Sequence, residues 1–270
     1  PKKELKPFGM NSTAETYYFR IDQPVIKKTR VTLNLQGGIE FKESRTKLLS
    51  APYRRERLRV LGAGPVVTWQ DRGGFNYFQN DFSFGLDGLG ASVFTGDSTT
   101  RLSVQPDFFR YRGSWSRTQK MFGPTYLKIR LDYQWSPDQL PASYALYLGG
   151  GTSVRGYPES DFIADNGILY NLDYFIPCLF IPDRIRLPWS KTLLKDDIEM
   201  AVFLDEGFGE IERSSSFEVK SRNLIGTGTG LKIRIYDDLF ARLDWGWAIG
   251  NAPLTESNRT KFHFRLQYNI

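Results

Sequence analysis

Hydrophobic and polar side chains alternate with a period of two along much of this chain. In the run "TYLKIRLDYQW", the odd-numbered positions from Leu127 to Trp135 are apolar or aromatic, whereas the even-numbered positions between them are charged or polar. The same alternation recurs in "RVTLNLQGGIEF", "DIEMAVFLDEG", "LFARLDWGWAI" and "KFHFRLQYNI". Successive side chains of a β-strand point to opposite faces, so this period predicts strands. We therefore expect an all-β chain built from antiparallel strands.

The length of the alternating runs indicates where these strands lie. Each run spans about ten residues, which is the length that a tilted strand needs to cross a bilayer. Several runs end in Trp or Tyr, as in the aromatic girdles of membrane barrels. A water-soluble sheet with one wet face is the alternative, but it would need one common core for all the apolar faces. The recurrence favours a transmembrane β-barrel with apolar faces toward lipid and charged faces toward a lumen.

We predict about twelve strands, with sixteen as the alternative. Sixteen strands would leave about 17 residues for each strand with its turn, too few for the long loops, and bacterial barrels have even strand numbers. Seven candidate strands precede a glycine-rich loop and five follow it. The candidates are residues 15–22, 29–42, 55–69, 75–95, 100–112, 122–135 and 142–150 before the loop, and 167–176, 195–206, 226–236, 238–249 and 260–270 after it. The segment 75–95 is counted once, although it holds one strand or two.

The chain has 270 residues and divides, by this reading, into a short tail and a single domain. We expect residues 1–12 to form a periplasmic tail and residues 13–270 to form the barrel. The connector at 181–197 is basic and holds two prolines. It lies along the membrane surface, contacts a partner or simply links two strands, and the sequence does not distinguish these three roles.

Composition supports a membrane barrel and excludes other classes. Aromatic residues make up 15% of the chain and charged residues 24%, while the mean hydropathy is −0.40. A helical membrane protein would be far more apolar, and a soluble β-sandwich would carry fewer aromatics. The net charge is +6, but the basic residues alternate singly with apolar ones instead of forming a patch. We therefore expect outer-membrane lipids as partners and no nucleic acid.

The titratable residues offer little catalytic chemistry. Cys178 is the single cysteine, so no disulfide forms within the chain, and we expect its thiol to face an apolar environment. His263 is the single histidine, which excludes a site of several histidine ligands. Its position in the alternation places it in the lumen, with no evident nucleophile beside it. We predict no enzymatic activity, no metal and no cofactor.

Three motifs occur in order in the second half of the chain. The loop "GGGTSVRGYPESDF" contains the tetrapeptide Val154, Arg155, Gly156 and Tyr157. It is followed by "NLDYFIP", which contains Asp173, and then by "VFLDEGFG". With these motifs, the region from Tyr144 to Ile270 resembles the outer-membrane insertase and translocase superfamily. That superfamily includes BamA, TamA, the two-partner secretion translocators and the Sam and Toc channel proteins of organelles.

The resemblance implies both a site and a function. In that superfamily the tetrapeptide sits in a long extracellular loop that folds back into the barrel, and an inward-facing acidic residue lies on the next strand. The motif of the strand after that matches Phe203, Asp205 and Gly207. The implied role is the insertion or translocation of outer-membrane proteins. Relatives carry POTRA domains before the barrel, and we expect a barrel that lacks them.

The alternation adds a specific hypothesis about the arginine. On the strand "ILYNLDYFI" the apolar residues take the outward face, so Asp173 points inward, and Asp205 has the same parity on the adjacent strand. A guanidinium makes a planar, two-pronged match to a carboxylate. We expect Arg155 to pair with Asp205, Asp173 or both, and to hold the loop inside the barrel. The alternative is that Arg155 is a solvated loop residue.

Two functions remain open at this stage. One is an outer-membrane barrel that assists protein assembly or translocation through a lateral seam, with client barrels or periplasmic partner proteins and a periplasmic carboxyl terminus. The other is a structural or channel-forming barrel, an accessory subunit of an envelope complex. The seam would pair a short first strand with the last strand, whose edges offer few ladder bonds. Its predicted residues are Tyr17, Phe19, Ile21, Phe264, Leu266 and Tyr268.

Overall fold

Twelve strands form one antiparallel sheet in the part of the chain that the structure describes. The structure is a computed structural model of the protein, and it describes residues 11–48, 51–94, 104–178, 180–182, 193–214, 218–236, 239–254 and 258–268. The strands of this sheet are β1 (Asn11–Lys28), β2 (Val31–Leu48), β3 (Ala51–Gln70), β4 (Gly74–Gly85), β5 (Ser92–Phe94), β6 (Phe109–Lys120), β7 (Tyr126–Trp135), β10 (Asn166–Pro177), β11 (Ile198–Glu210), β12 (Ser221–Tyr236), β13 (Leu239–Ala248) and β14 (Thr260–Tyr268). Within the long loop between β7 and β10, β8 (Leu146–Leu148) pairs with β9 (Phe162–Ala164).

The strands follow one another across the sheet in chain order. The order is β1-β2-β3-β4-β6-β7-β10-β11-β12-β13-β14, and the short strand β5 extends the sheet beside β3. Every pair is antiparallel, and short turns join the hairpins β1–β2, β3–β4 and β6–β7 at one end. This arrangement confirms the predicted all-β, antiparallel barrel class. Among the described residues, β1 pairs with β2 and β14 pairs with β13, and no pairing joins β1 to β14.

The number of strands in the sheet matches the prediction, but one predicted strand is wrong. Residues 142–150 form a turn of 3-10 helix at Ala142–Tyr144 followed by β8, inside the loop and away from the main sheet. Gly149 and Gly150 end this run with φ angles of 100° and 99°, which a continuing strand does not adopt. The twelfth strand of the sheet is instead β5.

Two strand boundaries also differ from those predicted. The first strand, expected to be short, has 18 residues and pairs with β2 along its whole length. A register shift between Pro24 and Ile26 lets the strand continue past the proline. β6 overlaps the predicted run 100–112 only from Phe109 and continues to Lys120, because Ser and Thr residues hide the alternation in its second half. The polar ends of these strands lie outside the apolar band, so hydropathy alone did not reveal them.

The two faces of the sheet have the predicted chemistry. On β11, Val202 and Leu204 are exposed on the outer face, whereas Phe203 and Asp205 are buried on the inner face. On β7, Asp132 and Gln134 are buried on the inner face, as expected. The outer face of β14 is exposed and apolar from Phe262 to Tyr268. The polar side of the sheet therefore surrounds a lumen, and the apolar side faces lipid.

Aromatic side chains cluster on the outer face near the loop end of the strands. The ring of Phe109 lies 5.1 Å from that of Phe84 and 6.0 Å from that of Trp135, measured between centroids. Trp245 stacks on Phe262 at 5.4 Å. These groups form part of an interfacial girdle. The described residues include one helix, α1 (Leu194–Asp197), and no helix there is long and apolar enough to cross a membrane.

Placing a charge on the outer face tests this assignment. Leu243 is 46% exposed and lies near the middle of β13 on the apolar side. We expect Leu243→Arg to lower the free energy of unfolding by about 2–4 kcal/mol, because the guanidinium would enter the hydrocarbon layer. Urea unfolding in lipid vesicles measures the change. The control is Gln36→Arg, which adds the same charge to the lumen, and an equal loss in both variants would contradict the assignment.

Candidate functional site

The loop between β7 and β10 folds back onto the inner face of the sheet and builds its own core. Apolar side chains of the loop pack against side chains of β10, β12 and β13. The strand pair β8 and β9 gives the loop a fixed shape. The members of this buried cluster are Leu146, Leu148, Val154, Tyr157, Phe162, Ala164, Leu169, Ile211, Leu224 and Ala248. The loop is therefore a packed element held at one end of the lumen, and not a solvated connection.

Arg155 projects from this loop into a pair of carboxylates. Its Nε donates to Oδ2 of Asp205 at 2.7 Å, and its Nη2 donates to Oδ1 of the same carboxylate at 2.7 Å. The backbone N–H of Arg155 also donates to Asp205 Oδ2 at 3.0 Å. Arg155 is 4% exposed and Asp205 is fully buried. This two-pronged contact, with little water nearby, is the strong form of a charge-assisted hydrogen bond.

A second carboxylate extends the contact into a network. Nη1 of Arg155 donates to Asp173 Oδ1 at 2.7 Å, and Arg242 donates to the same oxygen at 2.5 Å. Arg242 also donates to Asp244, whose Oδ1 lies 3.6 Å from Nη1 of Arg155. Two guanidiniums thus alternate with three carboxylates contributed by the loop, β10, β11 and β13. Each buried charge has a partner of opposite sign, which is the condition for its burial.

The ring of Phe203 and the side-chain amide of Asn171 also hold the Arg155 guanidinium in place. Its central carbon lies 3.5 Å from the centroid of the Phe203 ring, so the motif phenylalanine makes a cation–π contact. Asn171 donates to Asp205 Oδ1 at 2.7 Å and to the carbonyl of Ser153 at 2.7 Å. The amide therefore joins the carboxylate to the residues that precede the arginine. The orientation and position of the Arg155 guanidinium are therefore set by Phe203, Asn171 and Asp205 together.

Glycines allow the loop backbone to touch the wall. Gly156 has a φ of 96°, and a Cβ there would lie 2.5 Å from the carbonyl carbon of Trp247. A Cβ on Gly246 would lie 2.6 Å from the Gly156 nitrogen, and one on Gly226 would overlap the Arg155 carbonyl oxygen. Gly207 makes room for Val154 in the same way. The approach is possible because none of these positions carries a side chain.

The remaining motif residue and the single histidine complete the contact. Tyr157 is fully buried, and its hydroxyl donates to the carbonyl of Asn251 at 2.8 Å. Burial raises the pKa of the Tyr157 phenol, so the group stays neutral. The backbone N–H of Gly156 donates to Nε2 of His263 at 3.4 Å, which places the histidine in the lumen as expected. Burial by itself would lower the pKa of the Arg155 guanidinium. The paired carboxylates of Asp205 and Asp173 outweigh burial, so the pKa of Arg155 is raised.

A further pair of buried charges fixes the second half of the loop, which leads into β10. Arg222 on β12 donates to Asp161 Oδ2 at 3.2 Å, and the N–H of Leu254 donates to Asp161 Oδ1 at 2.9 Å. Nearby, Asp165 accepts from the backbone N–H groups of Leu140 and Glu212, both at 2.9 Å. These contacts tie the loop to two neighbouring connections. Both ends of the loop are thus fixed, in addition to its centre.

Comparisons with known proteins give the family. Residues 2–233 match the family model described as "Haemolysin secretion/activation protein ShlB/FhaC/HecB". The chain belongs to this family. A search of curated proteins gave no match. The expected superfamily of outer-membrane translocation and insertion barrels is thereby confirmed, whereas the narrower likeness to BamA and TamA and the absence of POTRA domains stay predictions.

Solved structures with the same fold include two of CdiB and one of BamA. CdiB from Escherichia coli aligns with a TM-score of 0.74 at 18% identity, covering 96% of this chain and 46% of that one. CdiB from Acinetobacter baumannii gives 0.68 at 14% identity, covering 96% and 42%. BamA from Haemophilus ducreyi lacking POTRA domains 1-3 gives 0.64 at 12% identity, covering 96% and 55%. The chain spans about half the length of these solved structures, and the likeness concerns the fold.

The structure of this haemolysin secretion/activation family chain brings the predicted motif residues together. Arg155 contacts both predicted carboxylates, Gly207 and Val154 touch, and Phe203 lies under the guanidinium. Sequence reasoning missed Arg242, Asp244 and the pair of Asp161 with Arg222. The inward parity of Arg242 and Asp244 on "LFARLDWGWAI" was visible, but which inward charges meet depends on strand register. Nothing local marks Asp161, which is one of several loop carboxylates.

The predicted seam residues lie on the two strands at the ends of the sheet order, and no pairing between described residues joins these strands. Tyr17, Phe19 and Ile21 lie exposed on the outer face of β1, and Phe264, Leu266 and Tyr268 lie exposed on β14. These are the two edges of the sheet among the described residues. Most of the basic connector at 181–197 and the last two residues lie outside the described part of the chain.

The described residues contain no group of three metal-ligating side chains among His, Cys, Asp and Glu. Cys178 is buried as expected, and burial raises the pKa of its thiol. A buried thiol with a raised pKa is a poor nucleophile. The chemistry of this site is therefore that of charge pairing and close packing.

Breaking the pair at Arg155 should destabilise the fold strongly. We expect Arg155→Ala and Asp205→Asn each to lower the free energy of unfolding by about 3–5 kcal/mol, because the remaining partner stays buried and unpaired. Urea unfolding or heat-modifiability on gels measures the loss. The matched control is Lys220→Ala, which removes a surface pair with Glu210 of 3.0 Å and should change little. Wild-type stability of both Arg155 and Asp205 variants would contradict the anchoring role.

Adding one methyl group at the wall should release the loop. In Gly246→Ala the new Cβ would collide with the Gly156 nitrogen, so the loop must move away from β13. We expect proteases added from the loop side to cut the loop much faster than in the wild type. Gly88→Ala is the control, because a Cβ at Gly88 meets nothing within 4 Å. Equal cleavage of the two variants would show that the close approach is not needed.

Proposed function

We propose that this chain forms the conducting barrel of an outer-membrane translocator for a secreted polypeptide. The observation that carries the proposal is the anchoring of the Arg155 segment of the loop to one wall of the lumen, beside a polar cavity. Arg155, Gly156 and Tyr157 contact β10, β11, β12, β13 and β14, which form one wall of the lumen. The start of the same loop shares a buried cluster with the inner face of β3, where Leu140 and Tyr144 lie with Leu58. Beside this cluster, inner-face residues of β1 to β4, β6 and β7 line a polar cavity. Membership of the haemolysin secretion/activation family supports the same role.

The open part of the lumen has polar and charged chemistry that suits an extended polypeptide. A cavity of about 680 Å³ lies against the inner faces of β1 to β4, β6 and β7. Its wall carries Arg110, Arg112 and Arg130 together with Asp81 and Asp132. Charges of both signs keep such a path hydrated and offer donors and acceptors to a passing backbone. A polar path with few apolar surfaces binds a moving chain weakly, which favours passage.

The orientation follows from the proposed role. We propose that the long loop lies outside the cell and that the short turns, including Thr29–Arg30 and Asp71–Gly73, lie in the periplasm. Short periplasmic turns and long external loops are usual for outer-membrane barrels. The carboxyl terminus would then be periplasmic, because β14 runs toward the end that holds the short turns. The secreted polypeptide would enter from the periplasm.

Lateral insertion of a client barrel is a second candidate. The observation that favours it is the exposure of both edge strands, β1 and β14, whose backbone groups face no partner strand among the described residues. Such edges pair readily with an incoming strand. The predicted seam residues, Tyr17 to Ile21 on β1 and Phe264 to Tyr268 on β14, lie along these edges. A channel-forming accessory barrel would use neither the edges nor a client.

Electrical recording separates these functions. The protein is inserted into a planar bilayer, and a permanently unfolded polypeptide is added to the side of the short turns. We expect brief, voltage-dependent blockages of the current, because the unfolded chain enters the polar lumen, and none with the same polypeptide crosslinked into a compact form. A parallel assay follows the folding of an eight-stranded barrel into liposomes that contain the protein.

Each outcome points to one function. Steady conductance without blockage would overturn the proposal in favour of a simple channel. Faster folding of the second barrel, without blockage, would favour insertion through the seam. Arg155→Ala should make the conductance noisier and larger on average, since it frees the loop to leave the wall. The conservative variant Arg155→Lys should fall between the two, because it keeps the charge but loses the two-pronged contact.

A further inference from the structure

Four arginines gather on the lipid-facing side of the sheet, away from the lumen. Arg45 on β2 and Arg55, Arg57 and Arg59 on β3 share the outer face. Their neighbours Leu58 and Val60 are buried on the inner face, which fixes this direction. In register, Arg45 lies opposite Arg55 and Glu43 lies opposite Arg57. We call these four residues the basic rim cluster.

The basic rim cluster lies directly beyond the apolar band. On β2 the outer face is apolar from Val31 to Phe41, with Gly37 the one position that lacks a side chain, and Glu43 and Arg45 follow. Ten steps of about 3.4 Å give a band of about 34 Å along the strand. A strand tilted by about 40° would cover about 26 Å of bilayer thickness, close to the ~25 Å apolar band of such barrels. Arg45 and Arg57 therefore stand at the height of the lipid headgroups.

Positive charge is in excess in this cluster. Glu43 pairs with three of the four arginines, at 3.1 Å from Arg45, 3.5 Å from Arg57 and 3.7 Å from Arg59. Glu15 on β1 lies opposite Glu43 in register. The two carboxylates leave two guanidiniums without compensation within this group of residues.

The four guanidiniums differ in exposure and in how many of their N–H donors are already hydrogen-bonded. Arg59 is committed, because it donates to the carbonyls of Leu89 and Leu58 and lies over the Phe41 ring. The side chains of Arg45 and Arg57 are 52% and 35% exposed. Nε of Arg55 is buried and has no hydrogen-bond partner in the described part of the chain. The exposed parts of the Arg45 and Arg57 side chains therefore lie on the outer face at headgroup height, where a ligand can reach them.

We propose that the basic rim cluster binds the phosphate of a lipid in the outer leaflet, with lipid A as the occupant. The guanidinium fork matches phosphate oxygens in two-pronged fashion. The apolar side chains next to the cluster, including Phe41 and Leu61, lie where acyl chains of the same lipid would pack. Inorganic phosphate shares the charge chemistry but gains nothing from this apolar surface. The choice of leaflet rests on the proposed orientation, since the cluster is at the long-loop end.

Equilibrium binding of lipid A to the purified protein tests the proposal. The double variant Arg45→Ala/Arg57→Ala removes the two exposed guanidiniums, and native mass spectrometry in phosphatidylcholine nanodiscs counts bound lipid A. We expect the affinity to fall about tenfold or more, the change produced by losing one good charge-assisted contact. Lipid A without its phosphates should bind wild type and variant equally weakly. Inorganic pyrophosphate should compete poorly.

Controls keep the test decisive. Arg72→Ala/Lys120→Ala removes two exposed basic residues at the opposite end of the strands and should leave lipid A binding unchanged. Heat-modifiability establishes that each variant is folded, and the single variant Arg45→Glu replaces the double variant if the double variant is not folded.

Equal lipid A binding by the wild type and the folded Arg45 and Arg57 variants would overturn the proposal. Strong competition by pyrophosphate would assign the cluster to a free anion. Current recordings on the same variants report on translocation separately, so failure of one proposal is distinguishable from failure of the other.

Discussion

The pairing of Arg155 with Asp205 and Asp173 is the interaction on which the arrangement of the lumen depends. A guanidinium that is 4% exposed and a fully buried carboxylate cannot remain charged away from water unless they meet. Each partner therefore constrains the other, and the loop has one position that satisfies both. Three hydrogen bonds of the arginine to Asp205 specify this position more sharply than apolar packing would. Conformational specificity, rather than net stability, is our hypothesis for what the buried pair contributes.

The close approach of two backbones makes this pairing possible. Gly226 and Gly246 give β12 and β13 a strip of inner surface without side chains, and the loop backbone at Gly156 lies on this strip. Any side chain on the strip would lift the loop and lengthen the contacts of Arg155. The wall strands of this region are consequently poor in packing side chains of their own, and the loop supplies the missing contacts. Loop and wall therefore stabilise each other.

One consequence of this arrangement is an asymmetric lumen. The Arg155 segment of the loop lies on the wall formed by the last five strands, and a cavity of about 680 Å³ lies against the inner faces of the first strands. The same strict alternation sets the chemistry of the outside. Apolar residues cover the outer face up to the level of Phe41, and arginines follow at the next positions of the same parity. Lumen, lipid band and headgroup level are thus ordered by strand direction and residue parity.

The sequence alone determined which way most side chains point. A period of two is local, so the inward direction of Asp173, Asp205 and His263 and the outward direction of Leu243 followed from neighbouring residues. The ordered motifs also indicated the site at Arg155. The local pattern gave a wrong prediction in two places. At 142–150, glycines with positive φ place an apolar run in a loop. At β1, the polar ends of the strand carry no hydrophobic signal, so the strand is longer than predicted.

Only the tertiary structure decided which inward residues meet. The strand register places Gly246 of β13 level with Asp173, through Phe203 of β11 and Gly228 of β12. Arg242 therefore joined the network by reaching Asp173 from four residues away along β13, past a glycine. Asp161 found Arg222 across a loop that folds back over many residues. Register and loop return depend on contacts between residues far apart in the chain, and no local pattern encodes such distances. The alternation therefore determined the faces of the barrel, while long-range packing selected the partners on them.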